Sequence, residues 1–390
     1  MYALTGVVRD YPWGSTTAIP EFIGMTPPGY PVAEMWFGAH ALGESMISDL
    51  DMSLGQFIRQ NPSLTLGEES LERFGASLPY LVKFIAPQAP LSLQVHPSLE
   101  QARHGYARAQ QGGPNAPIDY VDNNHKPELL YPLTHFEALA GFRPLPTLVE
   151  VISRFDTPTL KAARGELENH GVNGIKSALE LVLTEVSPDE VAHVASECGQ
   201  GRVLKEDASD HAEDVVVRLH EAYPGDPGVV ASLFLTPHCL KPGQAMYIPA
   251  GVIHVYLGGL GIEVMANSDN VLRAGLTPKN VDVPELLTVV DIDSNVDFPA
   301  VSQHAGITRF PLPIEDFQFT HGDGEDASVC TGGQGPGIIV ALDQGIEIMV
   351  DQTRAMGAHH MRLDKGQAAF VCSGEGPVHI SGGQALHVTA

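Results

Sequence analysis

Residues 241–279 read KPGQAMYIPAGVIHVYLGGLGIEVMANSDNVLRAGLTPK, and this stretch limits the fold more than any other. A Pro-Gly turn opens it. Short apolar β-runs follow at 245–248, 252–257 and 261–266, broken by Pro249 and Gly251 and then by Gly258-Gly259. Two runs about a Gly-Gly predict a hairpin. With a two-residue loop His254 faces Glu263, and with a four-residue loop His254 faces Met265. In either register His254 and Glu263 share a face, because strand side chains alternate. One reading of an imidazole and a carboxylate on an apolar face is a satisfied polar pair. Asp269, Arg273 and Lys279 follow on a segment that Gly275 and Pro278 can bend over a barrel mouth, and they point away from that reading.

The rest of the chain agrees with a strand-rich, turn-rich protein, with 40 Gly and 30 Pro in 390 residues. There are 47 acidic and 22 basic residues, a formal net charge of −25, which argues against nucleic acid or an anionic membrane as partner. An anionic ligand would need a local cluster of cations. The four cysteines, Cys198, Cys239, Cys330 and Cys372, are scattered and form no paired motif. That fits neither a disulfide framework nor a zinc ribbon. No apolar leader or membrane span is read, so the expectation is a cytoplasmic protein.

Several further side chains stand out. Gln94 and His96 are two apart on a β-run and point to one side, with Ser92, a geometry that suits either metal ligation or a wet strand face. Lys83 is the single charge in the apolar run 80–85. His125, Lys126 and Glu128 precede an apolar run, and Pro127 holds Lys126 extended. Trp13 sits on a Pro/Gly turn. Residues 53–74 read as helical, 101–118 as a loop or short helix, and 146–223 as a run of helices. In that run Ser187-Pro188-Asp189-Glu190 is a helix start and Lys205-Glu206-Asp207 a solvated face. LDKGQAAFVCSGEGPVHISG near the end echoes LKPGQAMYIPAGVIHVYLGG, which suggests a second, duplicated unit with His379 near the place of His254.

PAGVIHVYL, GIEVMANSDNVLRAGLTPK, QVHPS and NHKPEL, with YPWGS and AEMWFGAH before them, together resemble the type I phosphomannose isomerases, a zinc-dependent family. The resemblance runs from about Tyr11 to Lys279. It implies a mainly β protein of two cupin-like (jelly-roll) barrels. The catalytic barrel would span 1–145 plus 228–297, with a helical insertion at 146–227 and a C-terminal barrel at 298–390. It implies one zinc ion per chain on Gln94, His96, Glu128 and His254. For Gln94 it is the only source, since an amide is a weak zinc ligand. It implies interconversion of mannose 6-phosphate and fructose 6-phosphate by a monomer or weak homo-oligomer. Glu263 is then the preferred base, with His125 or Lys126 as alternatives. Arg273 occupies the place of the family's active-site arginine, Ser92 and Lys279 those of its phosphate contacts, and Trp13 lies near the sugar. Lys83 and Asp269 are read as further pocket residues. Another metal-dependent cupin enzyme, or a non-catalytic sugar-phosphate-binding cupin, remains as the alternative.

Overall fold

The computed structural model describes residues 1–112, 120–200, 212–279, 281–325, 328–331, 335–351 and 357–390. Two antiparallel sheets face each other at its centre. One has six strands, in the order Met246–Ile248, Glu128–Pro132, Gly261–Ala266, Tyr80–Ile85, Glu34–Phe37 and Val7–Arg9. The other has five, in the order Leu235–Leu240, Phe136–Phe142, His254–Gly258, Leu93–Val95 and Leu272–Gly275. Ile85, Leu130 and Met246 of the first interdigitate with Phe136, Ala138, Leu240 and Tyr256 of the second.

Both sheets are also covered on their outer faces, which explains why their strands are apolar on both sides. Leu93, Val95, Leu139 and Val255 join a core with Leu148, Val151, Ile152 and Leu179 of the helices. These include Leu145–Ser153, Pro158–His170, Ile175–Glu185, Pro188–Gly199 and Ala212–Ala222. On the far side, Val82, Phe84, Ile262 and Val264 pack on Phe319, Ile338, Phe370 and Val388 of a nine-stranded sheet. A four-stranded sheet covers the other face of that one through Ile339, Ile348 and Ile380. The protein is therefore strand-rich and layered, and among the described residues no sheet closes on itself.

The chain's first strand, Tyr2–Thr5, pairs with Ala368–Val371 and so belongs to the nine-stranded sheet. Local signals held in several places. Ser187 and Glu190 form a reciprocal capping box on the helix Pro188–Gly199. The segment 53–74 is helical but is divided into Leu54–Gln60, Pro62–Thr65 and Gly67–Phe74. Residues 99–111 exceed the expected loop or short helix: a capping box at Ser98 and Gln101 starts thirteen residues of α-helix. Lys205-Glu206-Asp207 lies outside the described residues.

The expected hairpin about Gly258-Gly259 does not form. His254–Gly258 is in the five-stranded sheet and Gly261–Ala266 in the six-stranded one. Gly259 has φ +127°, and a Cβ there would meet the His135 carbonyl at 2.6 Å and Phe136 Cα at 2.8 Å. Glycine lets the backbone leave one sheet at this close approach and enter the other. Leu260 is held by Thr134, whose Oγ1 accepts from its N–H at 3.0 Å, rather than by the strand it has left. The same crossing recurs in the echoed segment. Ala368–Val371 and Gln384–Thr389 lie in the nine-stranded sheet, and Val378–Ser381 between them lies in the four-stranded one.

Candidate active site

Two cross-strand rows build the site. On the five-stranded sheet, Ala140 pairs with His254, His254 with Gln94 and Gln94 with Arg273. On the six-stranded sheet, Leu130 pairs with Glu263, Glu263 with Lys83 and Lys83 with Trp36. Directly opposed residues project to one face. Here the faces meet across the gap between the sheets.

Glu128 stands at the centre, 1 % exposed. Its Oε1 lies 3.2 Å from His96 Nε2 and 3.0 Å from Lys126 Nζ, and its Oε2 lies 3.4 Å from His254 Nε2. The Tyr256 hydroxyl donates to Oε2 at 3.4 Å. Burial alone would raise this carboxyl's pKa, but Lys126 and His96 outweigh it and hold the group well below the usual range. His96 is pushed down to about 4 by burial and by Lys126. Both imidazoles donate through Nδ1 to backbone carbonyls, His96 to Asn270 at 2.7 Å and His254 to Val252 at 3.0 Å. A carbonyl only accepts, so each Nε2 keeps its lone pair for the cluster.

The ligand atoms of His96, Glu128 and His254 all lie within 4.8 Å of one another. His96 Nε2 is buried without a hydrogen-bond partner. Two imidazoles, a carboxylate and an unpartnered ring nitrogen fit a divalent cation of the zinc kind. The Gln94 amide stands beside them, its Nε2 3.3 Å from His254 Nε2.

A cavity of about 210 Å³ opens beside the cluster, lined by Lys83, Gln94, Lys126, Glu128, Glu263, Asp269 and Arg273 among others. Glu263 and Lys83 form a close, buried ion pair, and Lys83 Nζ is 3.5 Å from Glu34 Oε1. Burial pulls the Lys83 pKa down, but Glu263 and Glu34 outweigh it and raise it above the ordinary value. Burial and then the Glu128 carboxylate push Glu263 up, against Lys83 and Lys126. Half-buried Arg273 has its pKa lowered by desolvation, and no carboxylate pairs with it among the described residues. Depressions of about 700 and 680 Å³ lie elsewhere on the surface. Neither contains this cluster, so lining chemistry and not size marks the site.

The comparisons with known proteins agree. Residues 1–145 match the family described as phosphomannose isomerase type I, catalytic domain. The mannose-6-phosphate isomerase of Shigella flexneri is 33% identical over 98% of this chain and 97% of that protein. The chain belongs to the mannose-6-phosphate isomerase family. The human family member is 33% identical over 81% of this chain and 80% of its own. A mutant phosphomannose isomerase from Salmonella typhimurium superposes with a TM-score of 0.88 at 31% identity, covering 100% of this chain and 99% of the other. A mannose 6-phosphate isomerase bound with zinc and yttrium superposes with a TM-score of 0.87.

Not every residue singled out in this family member reaches the cavity. Ser92 lies beside the cluster, its Oγ 3.4 Å from Gln94 Oε1. Trp13 stacks on the cavity residue Tyr11 with ring centroids 5.6 Å apart. Asp269 contacts His40 at 3.3 Å. Lys279 is exposed, and its backbone N–H donates to Thr277 Oγ1 at 3.2 Å. His125 lies apart from the cavity, with Nε2 3.0 Å from both carboxylate oxygens of Asp316. His379 pairs with Asp351 at 3.0 Å. Sequence reasoning missed Glu34 and Tyr256. Each lies two residues from a member of the two cross-strand rows, Trp36 and His254, and strand alternation puts both in the gap.

Proposed function

We propose that the protein interconverts D-mannose 6-phosphate and D-fructose 6-phosphate in the cavity between the two central sheets. The observation that carries this reading is the meeting of His96, Glu128 and His254 beside a cavity lined by Lys83, Lys126 and Arg273. Lys83 and Lys126 are paired with carboxylates of that lining, and Arg273, without such a pair among the described residues, is the cation left to receive an anion there.

Gln94, His96, Glu128 and His254 would hold one zinc ion per chain. Bound there, zinc supplies Lewis-acid stabilisation for negative charge on the substrate oxygens. The protein's own residues do the rest. In the open-chain aldose a base takes the C2 proton. The C2–H electron pair forms the C1=C2 bond, and the carbonyl π pair moves to O1. Return of that proton to C1, with transfer of the O2 proton to O1 as the O–H pair forms C2=O2, gives the ketose. Glu263 is the base in this reading. Its raised pKa brings it nearer neutrality, where a general base works best, and Lys83 orients it. Arg273, free of a carboxylate partner, faces the developing enediolate charge or the phosphate. Ser92 and Lys279 contribute to phosphate binding, Asp269 to the sugar hydroxyls and Trp13, through Tyr11, to the wall. Lys126 holds Glu128 ionised and is the alternative proton carrier. His125 is a weaker one, since its ring is engaged by Asp316.

The same reading covers organisation. The facing six- and five-stranded sheets form a cupin-like (jelly-roll) unit from 1–145 plus 228–297, and the helices of 146–227 form an insertion. Residues 298–390 form a second cupin-like unit, which borrows the strand Tyr2–Thr5. A monomer or weak homo-oligomer in the cytoplasm belongs to this reading, and among the described residues no helix is long and apolar enough to cross a membrane.

The deciding experiment is a coupled assay of mannose 6-phosphate turnover before and after chelation. Activity should vanish with the metal and return with added zinc. Full turnover by metal-free protein would sink the reading.

A further inference from the structure

We propose that Asn270 is a positioning residue that fixes the metal-facing orientation of His96 and ties it to the segment carrying Lys126; this rests on the reading of His96 as a metal ligand. Asn270 is fully buried, at 0 % exposure. Its Nδ2 donates to the backbone oxygens of Asp122 at 2.9 Å and Asn124 at 2.8 Å, and lies 3.1 Å from Asp122 Oδ1. Its Oδ1 accepts from the N–H of Val121 at 2.8 Å and of Asp122 at 3.2 Å. A primary amide has two donors and one oxygen with two lone pairs, and here all are used. The Asn270 N–H donates to Ser268 Oγ at 3.2 Å, and that hydroxyl donates to Asp122 Oδ1 at 2.8 Å. Asp122 Oδ2 accepts from the Asp269 N–H at 2.7 Å. Residues 121–124 and 268–270 are thus locked together, although they are about 150 positions apart, and the lock is built around one side chain.

Two functional groups are held by this lock and meet at one Glu128 oxygen. The Asn270 carbonyl accepts from His96 Nδ1 at 2.7 Å, so the His96 proton sits on Nδ1 and Nε2 faces Glu128 with a free lone pair. Asn124 lies two residues before Lys126, whose Nζ is 3.0 Å from the same Glu128 oxygen. Moving the amide would shift the imidazole and the lysine relative to Glu128 together. A loop tie with no other role would not require its carbonyl to set a ligand's tautomer.

The test compares metal binding by the full chain and by Asn270→Ala. Zinc affinity, measured by competition with a chelator on metal-free protein, should fall about 10- to 100-fold, the usual effect of losing a group that orients a ligand. The d–d absorption of the cobalt-substituted protein should change with it. A purely structural role would lower the melting temperature and leave the affinity and spectrum of the folded protein as they were, and that result overturns the proposal. Should Asn270→Ala not fold, wild-type protein with 15N-labelled histidine decides. His96 should be in the Nδ1–H tautomer even without metal, and an Nε2–H or mixed population overturns the proposal. If wild-type protein takes up no metal that His96→Ala loses, the ligand reading itself fails, and the titration reveals this before the Asn270 variant is compared.

Discussion

Glu128 Oε2 lies 3.4 Å from His254 Nε2, although Glu128 belongs to the six-stranded sheet and His254 to the five-stranded one. A carboxylate 1 % exposed costs several kcal/mol unless other groups replace its water. Lys126, His96 and the strand-mates His254 and Tyr256 do so from three separate segments. The site is therefore the place where the two sheets are joined by polar contacts, set within an otherwise apolar gap.

Removing one ligand should separate metal binding from folding. His254→Ala should weaken zinc binding by on the order of a hundredfold or more, beyond the typical effect of an outer-shell change. The apolar contacts of Phe136, Ala138 and Tyr256 remain to hold the gap closed. Elemental analysis of purified variant that finds undiminished zinc would remove His254 from the ligand set.

Glu263→Gln keeps the shape of the side chain but removes the base. Turnover should fall roughly 100- to 10,000-fold while the sugar phosphate still binds. Wild type should exchange the substrate C2 hydrogen with solvent deuterium, and the variant should not. Exchange at the wild-type rate would move the base to Lys126 or His125.

Arg273→Ala should damage affinity and turnover together, because its charge acts on bound substrate and on the enediolate alike. Loss of a charged hydrogen bond of about 1.5–3 kcal/mol corresponds to roughly a 10- to 100-fold drop in kcat/KM. An unchanged KM would confine its role to the transition state and contradict the phosphate assignment.

Far from the site, His387 should make stability depend on pH. It is 4 % exposed, and burial pushes its pKa down to about 4. In the unfolded chain the value is about 6.5. Above that pH neither state binds the proton and the histidine contributes no slope. As pH falls from there towards 4, the unfolded state takes up a proton that the folded state refuses, so stability declines. Between pH 7.5 and 5 the loss should be about 2 kcal/mol. His387→Gln should flatten this part of the melting-temperature profile. Parallel profiles for variant and wild type would show that the histidine is not held neutral.

Much of the site was legible because its signals are local. Gln94 and His96 two apart, Lys83 alone in an apolar run and Glu128 leading another are readings of strand alternation. The pairing of His254 with Glu263 was reached through a hairpin that does not exist. The parity argument still put both residues in one gap, because each side of that gap is the inward face of its own sheet. His125 shows the limit. Its motif places it near the site, yet Asp316, 191 positions away, engages its ring.

By itself the sequence determined the β-rich character, the helical segment after residue 145 and the capping box at Ser187. Those follow from periodicity, propensity and hydrogen-bonding capacity within a few residues. Tertiary structure alone decided which sheet each strand joins, and therefore which groups meet. Gln94 reaches His254 across 160 positions, and Tyr256 reaches Glu128 across 128. The physical reason is that strand partnership is settled by the burial of all layers at once, which no short window contains. The same holds for the pKa shifts of His96, Glu128 and Glu263. Each is a balance of desolvation against charges brought from distant segments, and it exists only once the sheets have packed.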